Sequence, residues 1–127
     1  MESDDLDPVE RLAAADGRYR REAYLFVLAA VEFVVGRLTE RRHVSGRELL
    51  DGIRELGLAQ FGLMTKTVFE HWGIGRTDDF GEIVFRLVGA ELLSKTDQDS
   101  IRDFEGVYDF DEVFVEKFPW ERTEWEV

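Results

Sequence analysis

The stretch from residue 42 to residue 56, RHVSGRELLDGIREL, decides how the rest of the chain divides. Ser45 stands where a hydroxyl accepts from a free amide in the first turn of a helix, and Glu48, three residues on, reaches back to the serine amide. Val44 and Leu49 flank this box as a hydrophobic staple, so a helix starts at Ser45. It carries Leu49, Leu50, Ile53, Leu56 and Phe61, and Gly57 and Gly62 weaken its end.

Upstream, from Arg18 to about Leu38, Tyr24, Val27, Leu28, Val31, Val34, Val35 and Leu38 recur at helical spacing. A second stripe holds Tyr19, Ala23, Phe26, Ala30 and Phe33, and a helix apolar on two sides belongs at the centre of a fold. Its most apolar run, Ala23 to Val35, is 13 residues long and contains Glu32, short of the roughly 20 that span a bilayer. No membrane association is expected. Further upstream, Asp7, Pro8 and Glu10 open a short helix that Gly17 interrupts. The opening residues are acidic where a secretory signal places basic ones, so export is not expected.

Downstream, a helix from about Leu63 to Trp72 stops at Gly73, with Ile74 placed to pack back on it. Thr77 caps the next, with Asp78 and Asp79 at its positive end and Phe80, Ile83, Val84, Leu87 and Val88 on one face. After Gly89, Leu92 to Lys95 and Ile101 to Phe104 read as two short strands around the polar residues 96–100. Asp109 and Glu112 repeat the capping pattern before Val113 and Phe114. The expected fold is therefore mainly α with a small β-hairpin (α+β), a winged-helix-like helical domain preceded by a long central helix. Residues 1–17 form an acidic N-terminal segment with a short helix, 18–115 a single globular domain, and 116–127 an acidic Trp-containing tail.

RHVSGRELLDGIRE, FEHWGI, TDDFGEIVFRLV, LLSKT and YDFDEVF together resemble a small uncharacterised bacterial protein family of the planctomycetes and verrucomicrobia, one with no established function. The resemblance runs from about Tyr19 to Phe114. It implies a cytosolic protein and carries no catalytic or binding residue with it.

Charge and composition narrow the function classes. With 28 Asp and Glu against 16 Lys and Arg, the net charge of -12 repels phosphates and anionic headgroups, so nucleic acid is disfavoured as a partner. The presumed recognition helix adds an acidic face, Asp78, Asp79 and Glu82 beside Arg86. Arg18, Arg20, Arg21, Arg37, Arg41, Arg42 and Arg47 concentrate in the first half and favour a salt-bridged surface over a phosphate-binding one. No cysteine is present, which excludes disulfides, thiol catalysis and Cys-based zinc sites and fits a reducing, cytoplasmic compartment.

Three groups of residues invite a functional reading. Glu70, His71 and Trp72 combine an imidazole, a carboxylate and a large aromatic, the ingredients of a ligand or acid/base site. His71 has no second ligand at metal-binding spacing, and a structural position near a helix C-terminus explains it better. Asp97, Asp99, Asp103 and Glu105 suggest calcium, but Ile101, Arg102 and Tyr108 occupy the fifth, sixth and twelfth positions of the loop pattern, where an oxygen ligand, Gly and Glu belong. Phosphate-loop and nucleophile-elbow patterns are missing, so no cofactor and no metal is expected and enzymatic activity is disfavoured.

From Asp97 onward, 11 acidic and 3 basic residues interleave with aromatics, a composition suited to docking on a basic surface. Phe104, Phe110 and Phe114 are expected in this domain's own core, while Phe118, Trp120 and Trp125 are candidate partner contacts. The functional expectation is a non-enzymatic protein-interaction or regulatory module with a protein partner or a second copy of itself. The alternatives are a nucleic-acid-associated winged helix, and a small-molecule-binding protein or enzyme centred on Glu70–Trp72.

Overall fold

Local capping chemistry fixes the helix starts in the computed structural model, which describes residues 7–40, 42–94 and 101–116. Helix α1 spans Pro8–Asp16. Asp7 Oδ1 accepts from the Glu10 amide at 2.8 Å, Glu10 Oε1 accepts from the Asp7 amide at 3.4 Å, and Gly17 closes the helix at φ 69°. Helix α2 spans Arg21–Val35 and α3 spans Gly46–Phe61. At the head of α3, the Ser45 hydroxyl accepts from Glu48 N at 3.1 Å and Glu48 Oε1 accepts from Ser45 N at 2.9 Å, as its sequence pattern requires.

A 3₁₀ turn at Gly62–Met64 leads into α4, Thr65–His71, so this helix starts two residues later than its apolar pattern suggests. The Thr65 hydroxyl explains the offset: it lies 2.6 Å from Gly62 O and 3.0 Å from Gly57 O, tying the turn to the end of α3. Gly73, at φ 96°, ends α4; Ile74 N donates to Phe69 O at 2.9 Å, and the Ile74 side chain is fully buried. Helix α5 spans Thr77–Gly89. Its cap is Arg76 rather than Thr77, because Asp79 Oδ2 accepts from Gly75 N at 2.8 Å and Arg76 N at 3.2 Å and supplies the carboxylate from inside the helix.

The two apolar stripes of α2 place it between α1, α3 and α5. Ala23, Tyr24, Val27 and Ala30 are fully buried. Phe69 of α4 anchors the other half of the core, with ring centroids 5.3 Å from Phe80, 5.5 Å from Phe114 and 5.7 Å from Phe110. Phe104, Phe110 and Phe114 therefore close the core of this domain, as expected from their sequence setting.

The β-hairpin is overturned, and with it the winged-helix reading. Among the described residues there is no strand. Ile101–Phe104 is a 3₁₀ turn, and Leu92 to Ser94 is irregular chain after α5. What overrides the strand-like pattern is the start of α5: Thr77 Oγ1 donates to Phe104 O at 2.7 Å and accepts from Val107 N at 3.1 Å, while Asp78 accepts from Gly106 N at 3.0 Å. The first of these bonds takes the Phe104 carbonyl, a backbone group that the second strand would need for pairing. Asp109 Oδ1 then accepts from Glu112 N at 3.1 Å, opening a π-helical turn at Glu112–Glu116. Among the described residues no helix is long and apolar enough to cross a membrane.

Candidate functional site

One concavity lies where α2, the start of α3 and α5 diverge. Val31 and Val35 of α2, Leu49 of α3, and Val84 and Val88 of α5 give it apolar walls, and Phe104 completes them. Its volume is about 610 Å³, within the range of natural ligand and side-chain pockets. Leu92, Leu93 and Ser94 form a further part of its lining as the chain leaves α5. Phe85 stands on its edge with 63% of its surface exposed, an unusual setting for a large aromatic within a patch of this kind.

The polar edge is built from the α3 capping box. Arg42 grips Glu48 with two bonds, Nη1 to Oε1 at 3.0 Å and Nη2 to Oε2 at 2.7 Å, and also donates to His43 O. The Arg42 guanidinium, together with the donor from Ser45, holds the Glu48 carboxyl down at about 2. Glu48 and Ser45 are thus committed to one another and to Arg42. The mainly apolar lining offers dispersion and burial to an apolar face.

A second, shallower depression of about 520 Å³ lies between Gly17–Glu22 and Glu70–Gly73. It brings Glu70, His71 and Trp72 to one place without making them converge. Glu70 is exposed and 3.8 Å from Lys66, which also binds Asp111. His71 is exposed, and its carbonyl accepts from Arg20 Nε at 3.0 Å. Trp72 turns into the aromatic core, 5.6 Å from Phe26 and from Phe61.

Arg18, Arg21, Arg37 and Arg42 of the first half each pair with a carboxylate. Arg18 bonds Asp79 at 2.9 Å and Glu82 at 2.8 Å; Arg21 meets Glu10 at 3.2 Å and Arg37 meets Glu55 at 2.8 Å. Arg41 lies outside the described residues. Asp97 and Asp99 of the suggested calcium set do too, while Asp103 and Glu105 are exposed. Among the described residues no three His, Asp or Glu side chains are grouped to hold a metal ion. Phe118, Trp120 and Trp125 also lie outside the described residues.

Sequence reasoning passed over one polar cluster. Tyr19 OH lies 2.7 Å from Asp79 Oδ1 and 3.0 Å from Glu82 Oε1, and the Arg18 guanidinium stacks 5.1 Å from the Tyr19 ring. Burial, then the hydrogen bond to Asp79, pushes the Tyr19 phenol far above its ordinary range. The buried Asp79 carboxylate thus takes the phenol, a guanidinium and two main-chain amides, which makes it a structural clasp between the α1–α2 connection and α5. The acidic start of α5 was visible in the sequence; its partners, some 60 residues upstream, were not. No family model matches the chain, nor does any curated protein or solved structure.

Proposed function

We propose that the chain is a non-enzymatic protein-interaction module, acting in the cytoplasm, that receives the apolar face of an amphipathic, basic helix from a partner protein. The observation that carries this is the apolar groove between α2, α3 and α5 with Phe85 exposed on its edge. Its volume suits two or three side chains presented one turn apart by a docking helix. The net charge of -12 supports a basic partner, since opposite charge speeds encounter and selects against acidic competitors. The Glu70–Trp72 group gives chemistry little support, because Trp72 is engaged in the aromatic core.

The test is fluorescence anisotropy of a labelled Leu/Lys helical peptide of about 18 residues, some five turns long, titrated with the full chain. The expected result is saturable binding that Phe85→Ser weakens about tenfold, with a Leu/Glu peptide of the same apolar pattern binding far less. Equal binding by Phe85→Ser would remove the groove from the interaction. A chain ending at Val115 separates the groove from the acidic tail: lost binding would transfer the contact to Phe118, Trp120 and Trp125. If sedimentation shows a concentration-dependent dimer that Phe85→Ser dissolves, the occupant is a second copy.

A further inference from the structure

Helix α5 ends in a Schellman motif made with the wrong residue for its conformation. Leu92 N donates to Leu87 O and Glu91 N donates to Val88 O, both at 2.9 Å. This motif requires the residue after the C-cap to enter the left-handed region, which glycine does at no steric cost. Here that residue is Glu91, at φ 64°, alone among the described non-glycine residues in having a positive φ. The nearest glycine, Gly89, sits two residues too early, inside the helix.

The strained residue has a definite place. Leu92, Leu93 and Ser94, which line the groove, are the residues that the motif turns back onto α5. Leu92 and Leu93 are half-buried and pack against the core rather than filling it. Their position is thus a balance between modest apolar burial and an unfavourable backbone conformation one residue upstream.

We propose that Leu92–Ser94 is a strap over the groove, hinged at Glu91, and that release of the left-handed strain opens it to admit the docking helix. This rests on the docking function proposed above and adds its regulation. In the closed state the two cap hydrogen bonds hold Leu92 and Leu93 on the groove wall. In the open state Glu91 relaxes to negative φ, the two bonds break, and the wall retreats, lengthening the site along α5. Apparent affinity is then the intrinsic affinity multiplied by the open fraction, so residue 91 tunes binding without touching the ligand.

The experiment compares wild type, Glu91→Gly and Glu91→Val in the full chain. Amide exchange at Leu92 is read against Ile74, whose amide bonds Phe69 O in the same kind of motif on α4. Glycine removes the steric penalty and a β-branched residue increases it, so Leu92 exchange is expected about fivefold slower in Glu91→Gly and faster in Glu91→Val, with Ile74 unchanged. The Leu/Lys peptide is expected to bind about fivefold more weakly to Glu91→Gly and more tightly to Glu91→Val. Unchanged Leu92 exchange, or equal shifts at Leu92 and Ile74, overturns the hinge. Local exchange shifts with identical peptide affinities overturn the strap's control of access while leaving docking intact. Should no form bind the peptide while Leu92 alone responds, the docking function fails and the hinge stands.

Discussion

A Cβ placed on Gly52 of α3 would stand 2.3 Å from Cγ2 of Val34 on α2, so these helices meet at a distance that only a hydrogen atom allows. Gly52→Ala is expected to cost about 1–3 kcal/mol in chemical denaturation, because Val34 is itself buried and has little room to shift. Gly89→Ala provides the contrast: nothing lies within 4 Å of its added methyl, and the gain in helix propensity is expected to raise stability by about 0.5 kcal/mol. Comparable gains for both would mean that propensity, not close approach, governs the first.

The Asp79 clasp is expected to be the most sensitive polar position. Asp79→Ala takes one acceptor from Arg18 and Tyr19, which keep Glu82, and the side-chain acceptor of two main-chain amides, and should lower stability by about 3 kcal/mol. Tyr19→Phe removes one donor and should cost about 1 kcal/mol. A double-mutant cycle by urea denaturation should show the two losses coupled; strict additivity would contradict the geometry.

Stability should respond to pH at both ends, through different groups. Glu48, held at about 2 in the fold against about 4.3 in an unfolded chain, contributes above that unfolded value and loses its contribution as pH falls toward 2. Because the pair with Arg42 is open to solvent, Glu48→Gln should differ from wild type by less than about 1 kcal/mol at neutral pH, the gap closing in acid. Tyr19 behaves oppositely: its raised phenol contributes fully below about 10, the unfolded value, and loses that contribution as pH rises beyond it. An absorbance titration should find Tyr19 and the likewise raised Tyr108 ionising only as the fold opens.

His71 and Trp72 are adjacent in sequence and should part company in stability. His71→Ala is expected to stay within about 0.5 kcal/mol of wild type, since its side chain is exposed and the bond to Arg20 uses its carbonyl. Trp72→Ala should cost about 3 kcal/mol by opening the cluster of Phe26, Phe61 and Phe69. Thermal melts of the two variants decide this, and a large loss in His71→Ala would reopen a buried role for the imidazole.

Legibility followed the range of the interactions. The boxes at Asp7–Glu10 and Ser45–Glu48 and the stop at Gly73–Ile74 could be read because every partner lies within five residues. The residues at Leu92–Ser94 and Ile101–Phe104 suit a strand locally, but Leu87 O takes the Leu92 amide and Thr77, 27 residues upstream of Phe104, takes its carbonyl. Gly46 of α3 and Gly81 of α5 complete that override: a Cβ on either would lie 2.9–3.2 Å from Phe104, so both positions stay bare to receive the ring. The groove was out of reach for the same reason, since its walls run from Val31 to Phe104 and exist only once those helices have met.

Phe104, Phe110 and Phe114 come last in the described chain yet sit against Phe69, Phe80 and the glycines of α3 and α5. During synthesis, therefore, the first five helices leave the ribosome with the centre of their interior unfilled. A chain cut before Phe104 has the helical signals but lacks all three rings, and is expected to exchange its core amides faster than the full chain. Closure of the core thus depends on side chains that follow all five helices in the sequence.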